Sequence, residues 1–143
     1  MDQKQLSDYY LNLTNMTSQV DSYTYAISEN IAGSSPYWNV ESDAIDELKD
    51  RLAKVEHYMK AVIYWAEKAR DLNYEPSESE KLMVFNTTDN AKLSLFAFKD
   101  VLTEKILIKA PFEWVEKVKI FMKQLQFYLD EILRMFKPQS DIH

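Results

Sequence analysis

Between Ile45 and Leu72 the chain places an apolar residue at every third or fourth position without interruption. Ile45, Leu48, Leu52, Val55, Met59, Val62, Ala66 and Ala69 form this seam, with Tyr58, Trp65 and Leu72 widening it on one flank. A strand would turn such residues alternately to its two faces, so the stretch cannot be a strand. An α-helix packed against other helices is what the spacing requires. The width of the apolar face fits a helix with two neighbours better than an isolated two-stranded coiled coil.

The rest of the chain agrees. A single glycine, Gly33, occurs in 143 residues. Tight β-turns and phosphate-cradling loops draw on glycine for positive φ and close backbone approach, so β-meanders, Rossmann folds and P-loops are poorly served. Leu6, Leu13, Val20 and Ile27 recur every seven residues, with Tyr9, Met16 and Tyr23 between them. They predict a first helix over 3–32, opened by a capping-box-like Asp2 and Gln5 and closed by Gly33 with Pro36 shortly after. Tyr10, Thr17, Thr24 and Ile31 flank its seam, and Tyr37 and Trp38 in the following connection are expected to plug the end of a bundle.

The second helix is predicted over 41–73, with Glu41, Asp43, Asp46 and Glu47 at its start and Lys68 and Arg70 near its end, as the helix dipole favours. In 74–89, Ser77 and Glu80 form a capping box for a short extra helix ending near Phe85. The alternative is a hairpin pairing 82–85 with 93–98, although its turn lacks glycine. A third long helix is expected from Asp89 to Ile108, burying Ala91, Leu95, Phe98, Leu102 and Ile106. Pro111 opens a fourth at its first-turn position. Val115, Val118, Met122, Leu125, Leu129, Ile132 and Phe136 form its seam. The prediction is an all-α, antiparallel four-helix bundle: one domain over 1–137 and a loose tail over 138–143.

Composition narrows function more than it names it. The net charge is −6, and residues 1–48 hold eight acids against one base, Lys4. This argues against a general nucleic-acid binder. No cysteine is present, which removes disulfides, thiolate nucleophiles and cysteine-bound metals. The N-terminus lacks a basic segment followed by an apolar run, and no stretch reaches the ~20 apolar residues of a membrane span. A cytoplasmic protein is expected, and the sequons at Asn12, Asn15 and Asn86 read as chance.

Two histidines occur, His57 and the terminal His143. Around His57 the helical neighbours at three and four residues are Lys54, Lys60, Ala53 and Ala61, so one helix cannot supply a second metal ligand. Arg51 and His57, five residues between them, resemble the Arg-x4–6-His motif of the HEPN ribonuclease family, which implies an all-α toxin- or defence-type domain cleaving RNA. Six steps along a continuous helix rotate these side chains about 120° apart, so convergence needs a helix break or a symmetric dimer. Glu113 with Glu116, and Asp43 with Asp46, are similar to the paired acids of magnesium-dependent pyrophosphatases of the MazG kind. Their order and spacing depart from that family, and the helix dipole accounts for acids in first turns. Lys105, Lys109, Lys117, Lys119 and Lys123 gather near Trp114 and Phe121, a basic and aromatic patch able to meet phosphates or an acidic protein. Glu104, Glu113 and Glu116 lie among them, as on a mixed solvated face.

The reading that follows is a non-enzymatic bundle acting through protein–protein contacts, by self-assembly or as an adaptor or inhibitor. No catalytic, cofactor-binding or metal site is expected. The charge-poor, tyrosine-rich first helix would supply the contact surface through Tyr9, Tyr10, Thr17, Tyr23, Thr24 and Tyr25, since interface cores are depleted in charge and enriched in tyrosine. The acidic N-terminal half could also occupy a basic surface on a partner.

Overall fold

A computed structural model describes residues 1–34, 42–107 and 109–138. Four helices account for nearly all of it: α1 (Gln3–Ser34), α2 (Ser42–Leu72), α3 (Glu78–Val101) and α4 (Phe112–Phe136), with a π turn (Leu102–Ile106) continuing α3. No strand occurs among the described residues, so 82–98 holds no hairpin.

Packing closes the helices into a ring in which α1 lies against α2 and α4, and α3 against α2 and α4. Side-chain contacts fix their directions. Tyr9 near the start of α1 meets Phe136 at the end of α4, ring centres 6.0 Å apart. Tyr10 meets Trp65 near the end of α2 at 6.3 Å. Lys105 beyond the end of α3 bonds Glu47 near the start of α2 at 2.6 Å. Neighbours therefore run antiparallel, and the expected antiparallel four-helix bundle is the fold.

Each predicted seam faces the centre. All eight seam residues of α2 are buried, as are Leu6, Leu13, Val20 and Ile27 of α1 and the seven of α4. The helix starts follow local chemistry. Asp2 Oδ1 accepts from the Gln5 N–H at 2.8 Å while Gln5 Oε1 accepts from the Asp2 N–H at 2.9 Å, the reciprocal box the sequence implied. Pro111 sits one residue earlier than expected, as the N-cap of α4, and its carbonyl accepts from the Val115 N–H at 3.1 Å.

Three boundaries differ from expectation. Gly33 has no positive φ and lies inside α1; the positive-φ residue among those described is Asn73 (φ 53°), which ends α2 with its N–H donating to the Ala69 carbonyl at 2.8 Å. Asparagine tolerates this conformation through its short polar side chain. The short helix predicted to end near Phe85 instead runs on as the start of α3. Across the Asn- and Thr-rich run between Phe85 and Ala91, Thr88 and Ala91 continue the buried stripe from Val84 to Leu95 and Phe98. The extra short element lies at the other end of α3. There the Leu107 N–H donates to the Leu102 carbonyl, five residues back, at 2.9 Å, stacking Ile106 over Leu102 inside and releasing Lys105 towards Glu47. The predicted roles of Tyr37, Trp38 and the tail beyond Pro138 fall outside the described residues.

One carboxylate ties the connection between α2 and α3 to the bundle. Glu80 Oε1 accepts from the Ser77 N–H at 3.0 Å, completing the capping box. Its Oε2 accepts from Trp65 Nε1 at 2.7 Å and from the Tyr74 hydroxyl. The Tyr74 carbonyl in turn accepts from the Tyr10 hydroxyl at 2.6 Å, and Asn73 donates to Gln3 of α1. The donors from Tyr74, Ser77 and Trp65 pull the Glu80 carboxyl from its ordinary value of 4.5 down to about 2. A depressed folded-state value stabilises the protein fully above pH 4.5, and the effect fades as pH falls towards about 2. Glu80→Gln should therefore lower the unfolding free energy at pH 7 by about 1–2 kcal/mol. In urea titrations the gap between wild type and variant should narrow between those two pH values; a gap independent of pH would contradict the assignment.

Thr88 Oγ1 is buried without a hydrogen-bond partner among the described residues. Such a hydroxyl is desolvated without return, so Thr88→Val should raise stability by about 1 kcal/mol in the same assay.

Candidate functional site

On the side of the bundle shared by α3 and α4, the outward flanks of the two helices leave a groove. From α3 and the π turn come Leu95, Phe96, Lys99, Leu102 and Thr103; from α4 come Lys119, Met122, Lys123 and Gln126. Within each set the residues recur at three- and four-residue spacing, which keeps them on one helical face. Leu95, Leu102 and Met122 are buried and form an apolar floor, while the lysines, Thr103 and Gln126 make the walls. The cavity measures about 380 Å³. Beyond one end, Lys92 of α3 bonds Asp130 of α4 at 2.6 Å, with its ammonium 5.6 Å from the centre of the Phe96 ring. Towards the other, a second hollow of about 400 Å³ lies among Leu107, Ala110, Phe112, Val115, Glu116 and Lys119. Lys119 lines both, so they follow one another along α4.

Three ammonium groups therefore stand around an apolar floor, in a molecule whose net charge is −6. Lys119 has Glu116 at 3.8 Å. Lys99 and Lys123 have no ion-pair partner among the described residues. Phe96 and Phe112 stand at the lips, 37% and 77% exposed. The arrangement can hold a ligand with an apolar face and anionic edges.

The residues expected to form an interface on α1 lie elsewhere. Tyr10, Thr17 and Thr24 are buried in the chain's own core, at 0%, 2% and 3% exposure. The two threonine hydroxyls are turned back on their own helix, Thr17 to the Thr14 carbonyl at 3.1 Å and Thr24 to the Val20 carbonyl at 2.6 Å. Tyr9 and Tyr23 are half-buried against α4: Tyr9 edge-on to Phe136, Tyr23 stacked on Tyr128 at 6.1 Å and beside Phe121. Tyr25 is the exposed member, at 64%, beside Asp21, Glu56 and Lys60. Both flanks of α1 thus face neighbouring helices, while its outer face keeps the uncharged Asn12, Asn15, Ser18, Gln19 and Ser22 exposed.

Arg51 and His57 are not brought together within the chain. Helix α2 runs unbroken past both. Arg51 pairs with Glu47 at 3.8 Å, and exposed His57 lies edge-on to Tyr58. Asp43, Asp46 and Glu113 are exposed, and no group of three His, Asp or Glu residues suited to a metal ion occurs among the described residues. The basic cluster is divided. Lys105 is bound to Glu47, and Lys109 and Lys117 are exposed outside the groove. Trp114 is buried, its Nε1 donating to the Asn30 carbonyl at 2.9 Å. Lys119 and Lys123 line the groove, where Lys99 joins them. Sequence reasoning missed Lys99, although its place four residues after Leu95, on the flank that carries Lys92 and Phe96, was a usable signal.

No protein family, curated protein or solved structure matches the chain. No helix among the described residues is long and apolar enough to cross a membrane.

The placement of the tyrosines is open to test. Removing the buried hydroxyl in Tyr10→Phe should cost about 1 kcal/mol, since burial raises its pKa to about 12 and keeps it a donor to Tyr74 at any ordinary pH. Tyr25→Ser should fall within about 0.5 kcal/mol of wild type in the same urea titration.

Proposed function

We propose that the protein is a non-enzymatic, cytoplasmic interaction module, a helical bundle that works by holding another protein on its α3/α4 face. The observation that carries this reading is the groove itself. It combines a floor of Leu95, Leu102 and Met122, aromatic lips at Phe96 and Phe112, and two lysines, Lys99 and Lys123, without an ion-pair partner among the described residues. Leu93 on α3 and Ile120 and Phe127 on α4 add exposed apolar surface to the same two helices. Apolar surface rimmed by polar groups is what contact sites present. This reading moves the contact surface from α1 to α3 and α4, because Tyr9, Tyr10 and Tyr23 are engaged within the bundle and only Tyr25 of that set stays exposed.

Position-specific photo-crosslinking in the cells that produce the protein tests this. A benzophenone side chain at Phe96 or Phe112 should give a discrete protein adduct, and one at Tyr64, exposed on α2, should not. Adducts of equal yield at all three positions, or none at the groove, would overturn it.

A further inference from the structure

We infer that the α3/α4 groove receives an amphipathic helix of a partner protein, about four turns long, whose apolar stripe is bordered by carboxylates. The inference rests on the interaction reading above and names the occupant of that surface.

Length comes first. The two hollows follow α4 from Phe112 to Gln126. At 1.5 Å per residue those fourteen steps span about 21 Å, the length of a four-turn helix. Such a helix presents three or four apolar residues on one face at i, i+3/i+4 and i+7 spacing. Phe96 and Phe112 supply most of the apolar surface that would receive them, over a floor where Leu95, Leu102, Val115 and Met122 show only their edges.

Backbone chemistry selects a helix over an extended peptide. Both walls are helices, whose main-chain N–H and C=O groups are paired internally apart from their end turns. An extended segment laid between them would gain no ladder of main-chain hydrogen bonds, and its own polar groups would lose water over the apolar floor. A helix satisfies its backbone internally and buries only side chains. It would lie on the bundle as a fifth helix, by the packing that already joins the other four.

Charge then selects the side chains that border its stripe. Lys99 stands on the α3 wall and Lys119 and Lys123 on the α4 wall, so ammonium groups line both margins of the floor. No carboxylate lines the hollow that holds all three; Glu116, in the adjoining one, is engaged by Lys119. Carboxylates flanking the apolar stripe of the incoming helix meet these groups, while the −6 charge of the whole molecule discourages wrongly placed acidic partners. A phosphate backbone would use the lysines and leave the apolar floor unmatched.

The test uses the full chain and a helix-stapled, fluorescein-labelled peptide of 16 residues, leucine at the stripe positions and glutamate on both borders, followed by fluorescence anisotropy. Its twins carry lysine for glutamate, or the same residues in scrambled order. The acidic amphipathic peptide should bind saturably and about tenfold more tightly than either twin. Lys99→Glu with Lys123→Glu should weaken it about tenfold or more, and raising salt from 0.05 to 0.5 M should weaken wild-type binding similarly. Lys60→Glu with Lys68→Glu on exposed α2 positions makes the same change in net charge and should leave affinity within about twofold. All four lysines lie on helix surfaces, and circular dichroism verifies that both double variants keep their helix content.

Absence of saturable binding, or equal binding by Lys99→Glu/Lys123→Glu, would overturn the inference. If crosslinks at Phe96 or Phe112 persist in either case, the interaction reading stands and the occupant is of another kind. A crosslinked adduct of twice the chain's mass would identify a second copy and equally remove the partner helix. Loss of both the crosslinks and the peptide binding removes both readings.

Discussion

A helix whose apolar face is wide enough for two neighbours cannot be satisfied by one. That constraint governs the whole molecule. Each of the four helices carries a central seam and at least one widening flank: Tyr10, Thr17, Thr24 and Ile31 on α1, Tyr58 and Trp65 on α2, Met83 and Phe85 on α3, Phe121 and Tyr128 on α4. Paired helices would leave those flanks in water, at about 25 cal/mol for each Å² of apolar surface exposed. A ring of four gives every helix two partners and leaves one outer face for polar residues. The heptad spacing specifies helices; the width of the face specifies their number.

Apolar seams slide easily, so register has to come from groups with direction. Here it is supplied near both ends of the ring. At one end the Tyr10 hydroxyl, the Tyr74 carbonyl, the Glu80 carboxylate and the Trp65 indole connect three elements through bonds that tolerate little displacement. At the other, Trp114 reaches the Asn30 carbonyl and Lys105 reaches Glu47. Between them Lys92 and Asp130 join α3 to α4 just below the groove. The groove therefore lies between fastened points, and its walls are held at a set separation before any ligand arrives.

Much of this was legible in the residues. The seams of α2 and α4 could be read residue by residue, because periodicity is a property of many positions and single exceptions do not disturb it. The Asp2 and Ser77 capping boxes were legible because their chemistry is local. The end of α1 and the continuity of α3 were not. Gly33 and the Asn-Thr-Thr-Asp-Asn run have local preferences against helix; in α3 the tertiary burial of Thr88 and Ala91 outweighed them, and at exposed Gly33 the last turn of α1 simply continues. The π turn left no signal at all, since it changes which residue faces inward by one position only. For the candidate site, the charge-poor face of α1 was visible while its cause was not. The flank tyrosines Tyr9 and Tyr23 mark a covered surface, and a sequence does not say whether the cover is a partner or the chain's own α4. The groove combines Lys99 with Lys119 and Lys123 across twenty residues and a turn, a juxtaposition that only the fold makes.

The closing of the ring has a consequence for how the bundle forms and breathes. Three of its four seams join helices that are consecutive in the chain, so their closure entropy is small. The fourth joins α1 to α4 across nearly the whole sequence; the Trp114–Asn30 bond alone spans 84 residues. Contacts of long sequence separation come late, after local ones have shortened the effective loop. The α1/α4 seam is thus the bundle's clasp, the boundary whose closure spans the longest stretch of chain. It lies across the ring from α2 and α3, and it adjoins the α4 wall of the groove rather than the α3 wall. A ligand spanning α3 and α4 would steady the helix that carries half of the clasp.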